Sequence, residues 1–395
     1  MKVLVSGASV TGPTLAYWLR RNGAEVTVVE KAPAMRLGGY PIDVRGTALG
    51  VLERMGVLER VRAAHIHTHT LRFVDARGRS VGSLRPEALT GGGDGRDLEV
   101  PRGHLATILH EAVRDDVEFV FGDSIAELNQ HDDRVEVSFA GGARREFDLV
   151  LGADGLHSNT RRLAFGPEER YSRYLGYCFA GFTLPNDLGL AHEGVNGAAP
   201  GRMGVLYAPG CTDTLHGFLM LARPEPPLAE LDDVAAQREL MARAFDGDGW
   251  EIPRLLEAMR TADDVFFDLA SQIHMPSWSR GRVALAGDAA HAPSFFSGQG
   301  TSTALVGAYV LAGELARAGS FAAGFASYER TMRPFVRVNQ ALADTGGSML
   351  APATASGLWL RNRLLRVAPL LVRTGLVGRS ARRATTALDL PSYAA

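Results

Sequence analysis

Three separated stretches of this 395-residue chain carry residue types suited to holding one phosphorylated, polyhydroxylated ligand. The first is Gly7-Ala8-Ser9-Val10-Thr11-Gly12, which follows a short apolar run and opens a helical pattern. Gly7 lets the chain turn sharply off a strand, and Gly12 lets the next helix pack closely on the sheet. The free N–H groups at the start of that helix then face a pyrophosphate. Ser9 stands where a middle glycine would admit phosphate to the backbone; serine is small, and its hydroxyl can donate to a phosphate oxygen. Glu30 lies about twenty residues past the turn, where a carboxylate at a strand tip accepts hydrogen bonds from a ribose. That acid favours an unphosphorylated adenosine ribose, as in FAD or NAD. The other two stretches are the Asp154-Gly155 turn after the apolar Leu149-Val150-Leu151, and Gly287-Asp288 after a second apolar run.

Positioning these groups requires a particular scaffold. Residues 2–6 read as a buried strand, 13–22 as a helix and 24–29 as a second strand, the opening of a βαβ unit. Residues 31–46 are a loop, broken by glycine and proline. Leu49, Leu52, Met55, Leu58 and Val61 mark two short helices; 71–75 and 80–84 alternate like strands, and Gly91-Gly92-Gly93-Asp94-Gly95 is a flexible tip. Residues 98–101 are extended and 102–113 helical. Strands at 117–121, 124–130, 135–139 and 147–151 are expected to return the chain to the parallel sheet. From 174 to 221 aromatic residues and alternation indicate a separate antiparallel sheet. Two helical stretches lead to Met259, 272–276 is extended, 282–286 is a buried strand, and long helices follow at 299–315 and 323–342. A basic amphipathic helix at 358–377 is expected to bridge the two sheets with its apolar side, the alternative being that it lies on a membrane surface.

The fold class is thus α/β: a Rossmann-like domain from residues 1–70, 95–173 and 265–350, an inserted antiparallel-sheet domain from 71–94 and 174–264, and a C-terminal helical segment over 351–395. A net charge of −2 gives no reason to expect nucleic acid. Cys178 and Cys211 are too few for a disulfide framework or a cysteine metal site and suit a reducing cytosol. With no basic-then-apolar leader and no apolar run of membrane-spanning length, a cytoplasmic protein is expected. His65, His67 and His69 alternate, but no Cys, Asp or Glu falls within their run, and no metal is expected.

In order and spacing, the three stretches resemble those of single-component, FAD-dependent aromatic hydroxylases with the para-hydroxybenzoate hydroxylase fold, and among them the compact, tetracycline-destructase-like monooxygenases. The resemblance covers nearly the whole chain. It implies that Gly7, Ser9, Gly12, Glu30 and Lys31 meet the adenosine-diphosphate end of FAD. Asp43 and Arg102 would touch FAD, Arg36 would lie where the nicotinamide nucleotide enters, and Asp154-Gly155 would serve both nucleotides, with Arg161 capping that region. Asp288 would accept ribitol hydroxyls, and Gly298 and Gly300 would leave room for the flavin ring at the positive end of the following helix. Ser294 and Ser302 stand where the family usually has a proline and an asparagine.

The substrate would lie between flavin and second sheet, lined by Phe179, Phe182, Met203, Tyr207, His216 and Phe218, with His216 matching a substrate-side histidine. Such a lining suits a flat, largely apolar ring system. The implied reaction consumes NADPH or NADH and O2, hydroxylates or inserts oxygen into a polycyclic aromatic or polyketide-like small molecule or antibiotic, and needs no partner reductase. No catalytic side chain is assigned. A halogenase or reductase-desaturase of the same superfamily, or a non-catalytic FAD protein, would keep the same motifs. Trp250-Glu251-Ile252-Pro253 is similar to a halogenase element but lacks its first tryptophan.

Overall fold

The computed structural model describes residues 1–35, 40–86, 88, 97–373 and 378–393, the side chains of 345 and 369–373 apart. Arg36 and the tip Gly91–Gly95 lie outside the described residues. Lys2–Ser6 sits inside a six-stranded sheet whose order is Ser279–Arg280, Val283–Leu285, Leu149–Gly152, Lys2–Ser6, Glu25–Glu30, Glu118–Phe121. All pairs are parallel except the first. Val3, Leu4 and Val5 are fully buried because both faces of this sheet are covered, which is why these strands read as unbroken apolar runs. One face carries Thr11–Arg21, Gly300–Arg317 and Phe321–Ala341, helices that share a core with Val3 and Val5.

The opposite face is covered by strands rather than helices. Ile125–Gln130, Val135–Phe139 and Arg144–Phe147 form a three-stranded antiparallel layer, packing Ile125, Val137 and Phe139 against Leu4, Val29 and Val150. Of the four strands expected to return the chain to the parallel sheet, those at 117–121 and 147–151 do so as Glu118–Phe121 and Leu149–Gly152, while those at 124–130 and 135–139 are corrected: short-range pairing and one apolar face make them a cover on that sheet. The expected strand 147–151 divides at Asp148, whose carboxylate accepts the Lys2 N–H (2.6 Å).

A seven-stranded sheet follows the order Phe266–Ile273, Ser172–Pro185, Thr214–Ala222, Arg202–Ala208, Glu193–Ala199, Thr70–Val74, Ser80–Leu84. It is antiparallel apart from Glu193–Ala199 beside Thr70–Val74. Phe266–Ile273 is a full strand along Ser172–Pro185 rather than an extended stretch at 272–276. One face is buried under Val234–Ala244 and Ile252–Thr261, whose Met241, Phe245 and Leu255 meet Ala180, Leu206 and Leu219. Trp250 packs here, within the space that a Cβ on Gly197 would need, so it is a packing residue of the covered face.

The amphipathic helix runs over Ala355–Arg373 and rests on the Ser80–Leu84 edge of this sheet through Leu365 and Ala368. The expectation that this helix bridges both sheets changes in detail. The chain beyond it reaches the nucleotide domain, where Asn339 donates to Ala384 O (3.2 Å) and Tyr393 to Glu314 (2.9 Å). No described helix is long and apolar enough to cross a membrane.

A charged cluster ties the two bodies together. His157, on the loop after Asp154-Gly155, contacts Glu168 (2.9 Å) and, across the junction, Asp268 on Phe266–Ile273 (3.0 Å). The hydrogen bond to Asp268, then that to Glu168, raises the half-exposed imidazole to about 10. This tether is complete below the unfolded pKa of about 6.5 and is lost as pH rises through about 10. Melting curves of wild type and His157→Gln should differ most near pH 6 and converge above pH 10; a constant gap across that range would contradict the charged tether.

Candidate active site

The three ligand-binding stretches meet through contacts that exclude any Cβ. A Cβ on Gly7 would lie 2.5 Å from Ala153 O, one on Gly12 1.8 Å from Gly7 O, and one on Gly287 2.3 Å from Thr11 Oγ1. Gly7 and Gly287 also have positive φ, +105° and +61°. Thr11–Arg21 has no side-chain cap, so its first amides are free for an anion at the turn. Glu30 shapes that turn: Oε2 accepts from Ala8 N and Oε1 from Ala32 N, both at 2.9 Å. Each oxygen keeps acceptor capacity for a ribose hydroxyl. Arg102 donates to Ser9 Oγ (3.3 Å), bringing the start of its helix onto the glycine-rich turn. Lys31 is exposed just beyond Glu30.

Asp154 is occupied by the protein itself. Its carboxylate accepts from Ser158 Oγ, from Thr160 N and Oγ1 (2.8 Å each) and from Ser6 Oγ (3.4 Å), which pins the loop to the central strand. Gly155, at φ +83°, faces open space. Arg161 is fully buried, donating to Ala289 O (3.0 Å), Leu156 O (2.6 Å) and Glu168 (2.5 Å). It therefore clamps the Asp154-Gly155 loop to the residue after Asp288. Burial lowers its pKa, against the opposing charges of Glu168 and Asp154.

Asp288 is the opposite case. Its Oδ1 is sealed from solvent with no hydrogen-bond partner, and burial pushes its carboxyl up despite the charge of Arg102. A buried acceptor without a donor is what a ligand hydroxyl would satisfy. Gln299, fully buried, leaves both amide atoms unpartnered, and so does Ser294 its hydroxyl. A Cβ on Gly300 would stand 3.8 Å from Asp288 Oδ1. Gly298 (φ +60°) abuts the Asp43–Arg45 ion pair (2.7 Å): a Cβ on it would stand 3.3 Å from Arg45 Nη1 and 3.5 Å from Asp43 Oδ2. Asp43, Arg45, Asp288 and the uncapped start of Gly300–Arg317 thus surround one cradle. These orphaned polar atoms and glycine-lined approaches fit a flavin nucleotide.

Facing the cradle is the other side of the seven-stranded sheet, where Phe179, Met203 and Met220 are buried against Phe295, Phe296 and Ala351. Register sets Phe179, Met220 and Met203 abreast, then Gly181, Phe218 and Val205, then Thr183, His216 and Tyr207. Phe295, just before Gly298, packs on Phe179 (4.4 Å between ring centroids) and Phe218 (5.9 Å). Phe182 departs from the expected lining. It is one residue out of phase, so it points to the other face, where its ring fills the space beside Gly217 and Leu255. His216 is half-buried, makes no side-chain hydrogen bond among the described residues, and is held below its ordinary pKa by burial.

Tyr207 donates to Glu99 (2.5 Å), which also accepts from Thr68 (2.7 Å). Burial, then the charge of Asp43, raises the Glu99 carboxyl. Arg45, Glu99 and Phe295 were not singled out in the sequence. Arg45 alone carried a signal there, as a charge two residues from Asp43 on an otherwise glycine- and proline-broken loop. The histidine run is not a strand: His67 has φ +49°, the His65 and His67 rings meet at a tilt (4.2 Å), and His69 stacks on His192 (4.8 Å).

The family described as FAD binding domain matches residues 1–179 and 256–341, spanning all three stretches. A flavin-dependent monooxygenase from an unknown prokaryotic organism is 38% identical over 99% of both chains. The chain belongs to the FAD-dependent monooxygenase family. Among solved structures, tetracycline destructase Tet(55) superposes with a TM-score of 0.86 at 37% identity, covering 99% of this chain and 98% of that one. Tet(51) gives 0.85 at 32% identity and 99% of both. FAD as cofactor follows from the family, and the cradle with its unsatisfied Asp288 is the candidate place for it. Asp288→Ala should weaken FAD binding by about 1–3 kcal/mol, read by flavin fluorescence titration; wild-type affinity would remove Asp288 from the cofactor.

Proposed function

We propose that this monooxygenase takes two electrons from NADPH or NADH and uses O2 to hydroxylate a flat polycyclic aromatic or polyketide-like molecule, or to insert oxygen beside a carbonyl. One oxygen atom enters the substrate and the other leaves as water. Bound FAD would supply electron storage and oxygen activation. The observation that carries this reading is the apolar, aromatic wall of Phe179, Met203, Phe218 and Met220 set opposite the Gly298–Gly300 segment. Likeness to the tetracycline destructases adds support for a ring system with a few polar groups as substrate.

Within this reading the chain's own groups bind, orient and exclude water. Gly7, Ser9, Gly12, Glu30 and Arg102 hold the nucleotide end. Asp43, Asp288, Gly298 and Gly300 hold the end that reacts, and the start of Gly300–Arg317 places a positive dipole beside the charge that develops on reduction. The Phe179 and Phe295 rings keep water from the junction between cofactor and substrate. His216, held below its ordinary pKa by burial and without a side-chain hydrogen bond among the described residues, hydrogen-bonds a substrate oxygen. Arg36 receives the nicotinamide nucleotide directly, with no partner reductase. Both cysteines are free thiols, in keeping with a cytoplasmic protein.

The test is NAD(P)H oxidation across a panel of polycyclic phenols under labelled O2. A true substrate should accelerate oxidation and gain one labelled oxygen atom; flavin reduction strictly dependent on an added reductase, or an unlabelled product, would sink the reading. His216→Ala should then raise the KM for that substrate while FAD content stays intact, and an unchanged KM would take His216 out of the pocket.

A further inference from the structure

The helix Ala355–Arg373 has two unlike faces. Leu365 and Ala368 pack on Phe73, Val81 and Leu84, and Arg361 is buried, donating to Leu350 O (2.8 Å). The opposite face is uncovered. Trp359, Leu360, Leu364 and Val367 are 60, 53, 52 and 44% exposed, and the other exposed large apolar side chains described come one each from separate segments. With the exposed Arg363 and Arg366 they occupy positions i, i+1, i+4, i+5, i+7 and i+8, one continuous stripe along the helix. The Arg363 guanidinium lies 5.1 Å from the Trp359 ring centroid, so charge and aromatic surface are presented together.

The surrounding sequence is equally one-sided. From residue 345 to 388 there is no Asp or Glu but seven Arg, in a chain whose net charge is −2. The positive stretch is therefore set against an acidic remainder. We propose that this face lies on an anionic lipid bilayer, with Trp359, Leu360, Leu364 and Val367 at the boundary between headgroups and acyl chains and Arg363 and Arg366 on lipid phosphates. Charge disfavours a second copy of the chain as the occupant. A two-fold contact would bring Arg363 and Arg366 of both copies together with no acid in the stretch to pair them. Lipid binding of this kind is independent of the reaction proposed above.

Flotation of FAD-loaded protein with vesicles of phosphatidylcholine, alone or mixed with phosphatidylglycerol, tests this at about 0.1 M salt. The protein should float with the mixed vesicles and be released at about 1 M salt. Brominated lipid should quench a fluorescence component that Trp359→Leu abolishes. Leu360→Ser/Leu364→Ser should bind at least about tenfold more weakly, and Arg363→Glu/Arg366→Glu should lose the preference for phosphatidylglycerol, both with FAD content and melting temperature retained. Wild type that floats with neither vesicle, or the serine variant floating like wild type, overturns the proposal. Equal flotation with phosphatidylcholine alone overturns the anionic assignment. A concentration-dependent dimer by light scattering that the serine variant abolishes gives the face to a second copy instead.

Discussion

The candidate cofactor site depends on glycine backbone packed so closely against its neighbours that no side chain fits. Gly7 against Ala153 joins the first turn to the second, and Gly287 against Thr11 joins the third to the first, so three segments separated by well over a hundred residues each are brought to one point. Such contacts hold the turns at one spacing, because a shift in either direction gives a clash or a void. The buried Arg161 reinforces the arrangement from outside, linking Leu156, Ala289 and Glu168. Its charge is tolerable there because every hydrogen bond it makes is to a carbonyl or to the Glu168 carboxylate, which balances it.

The second body offers a wall with two chemistries. The face under Val234–Ala244 and Ile252–Thr261 is a closed apolar core. The other face, one residue out of phase along each strand, mixes aromatic and thioether side chains with His216 and Tyr207. A sheet can separate a structural surface from a functional one only while its register holds. Here the long Ser172–Pro185 strand is paired on both sides, with Thr214–Ala222 and Phe266–Ile273, and the His157–Asp268 contact fixes that second neighbour to the nucleotide domain.

The nucleotide-binding half was legible because its signals are local: glycines at a strand end, an acid at the tip of the next strand, apolar runs without alternation. Asp288 could be placed for the same reason. Phe182 is three residues from Phe179 on one regularly paired strand, so the period of two puts them on opposite faces, and the expected lining did not apply that phase. Asp154 looked like a ligand contact in sequence, and its role as a local clamp appears only when Ser6, Ser158 and Thr160 are seen to converge on it. The Glu99–Tyr207–Thr68 cluster joins three distant segments and left no local trace.

The tail has a consequence for how the protein comes to exist. Gly46 leaves no room for a Cβ because Thr385 O lies 2.3 Å from where it would stand, Thr47 donates to Leu388 O, and Arg54 and Tyr309 donate to Pro391 O. The first fifty residues therefore find part of their native packing in the last fifteen described. At a synthesis rate of about 5–20 residues per second, that partner arrives roughly 20–80 s after the glycine-rich turn has left the ribosome. For that interval the cofactor domain is without its final seal, and the nascent chain is exposed to chaperones and proteases before it can close.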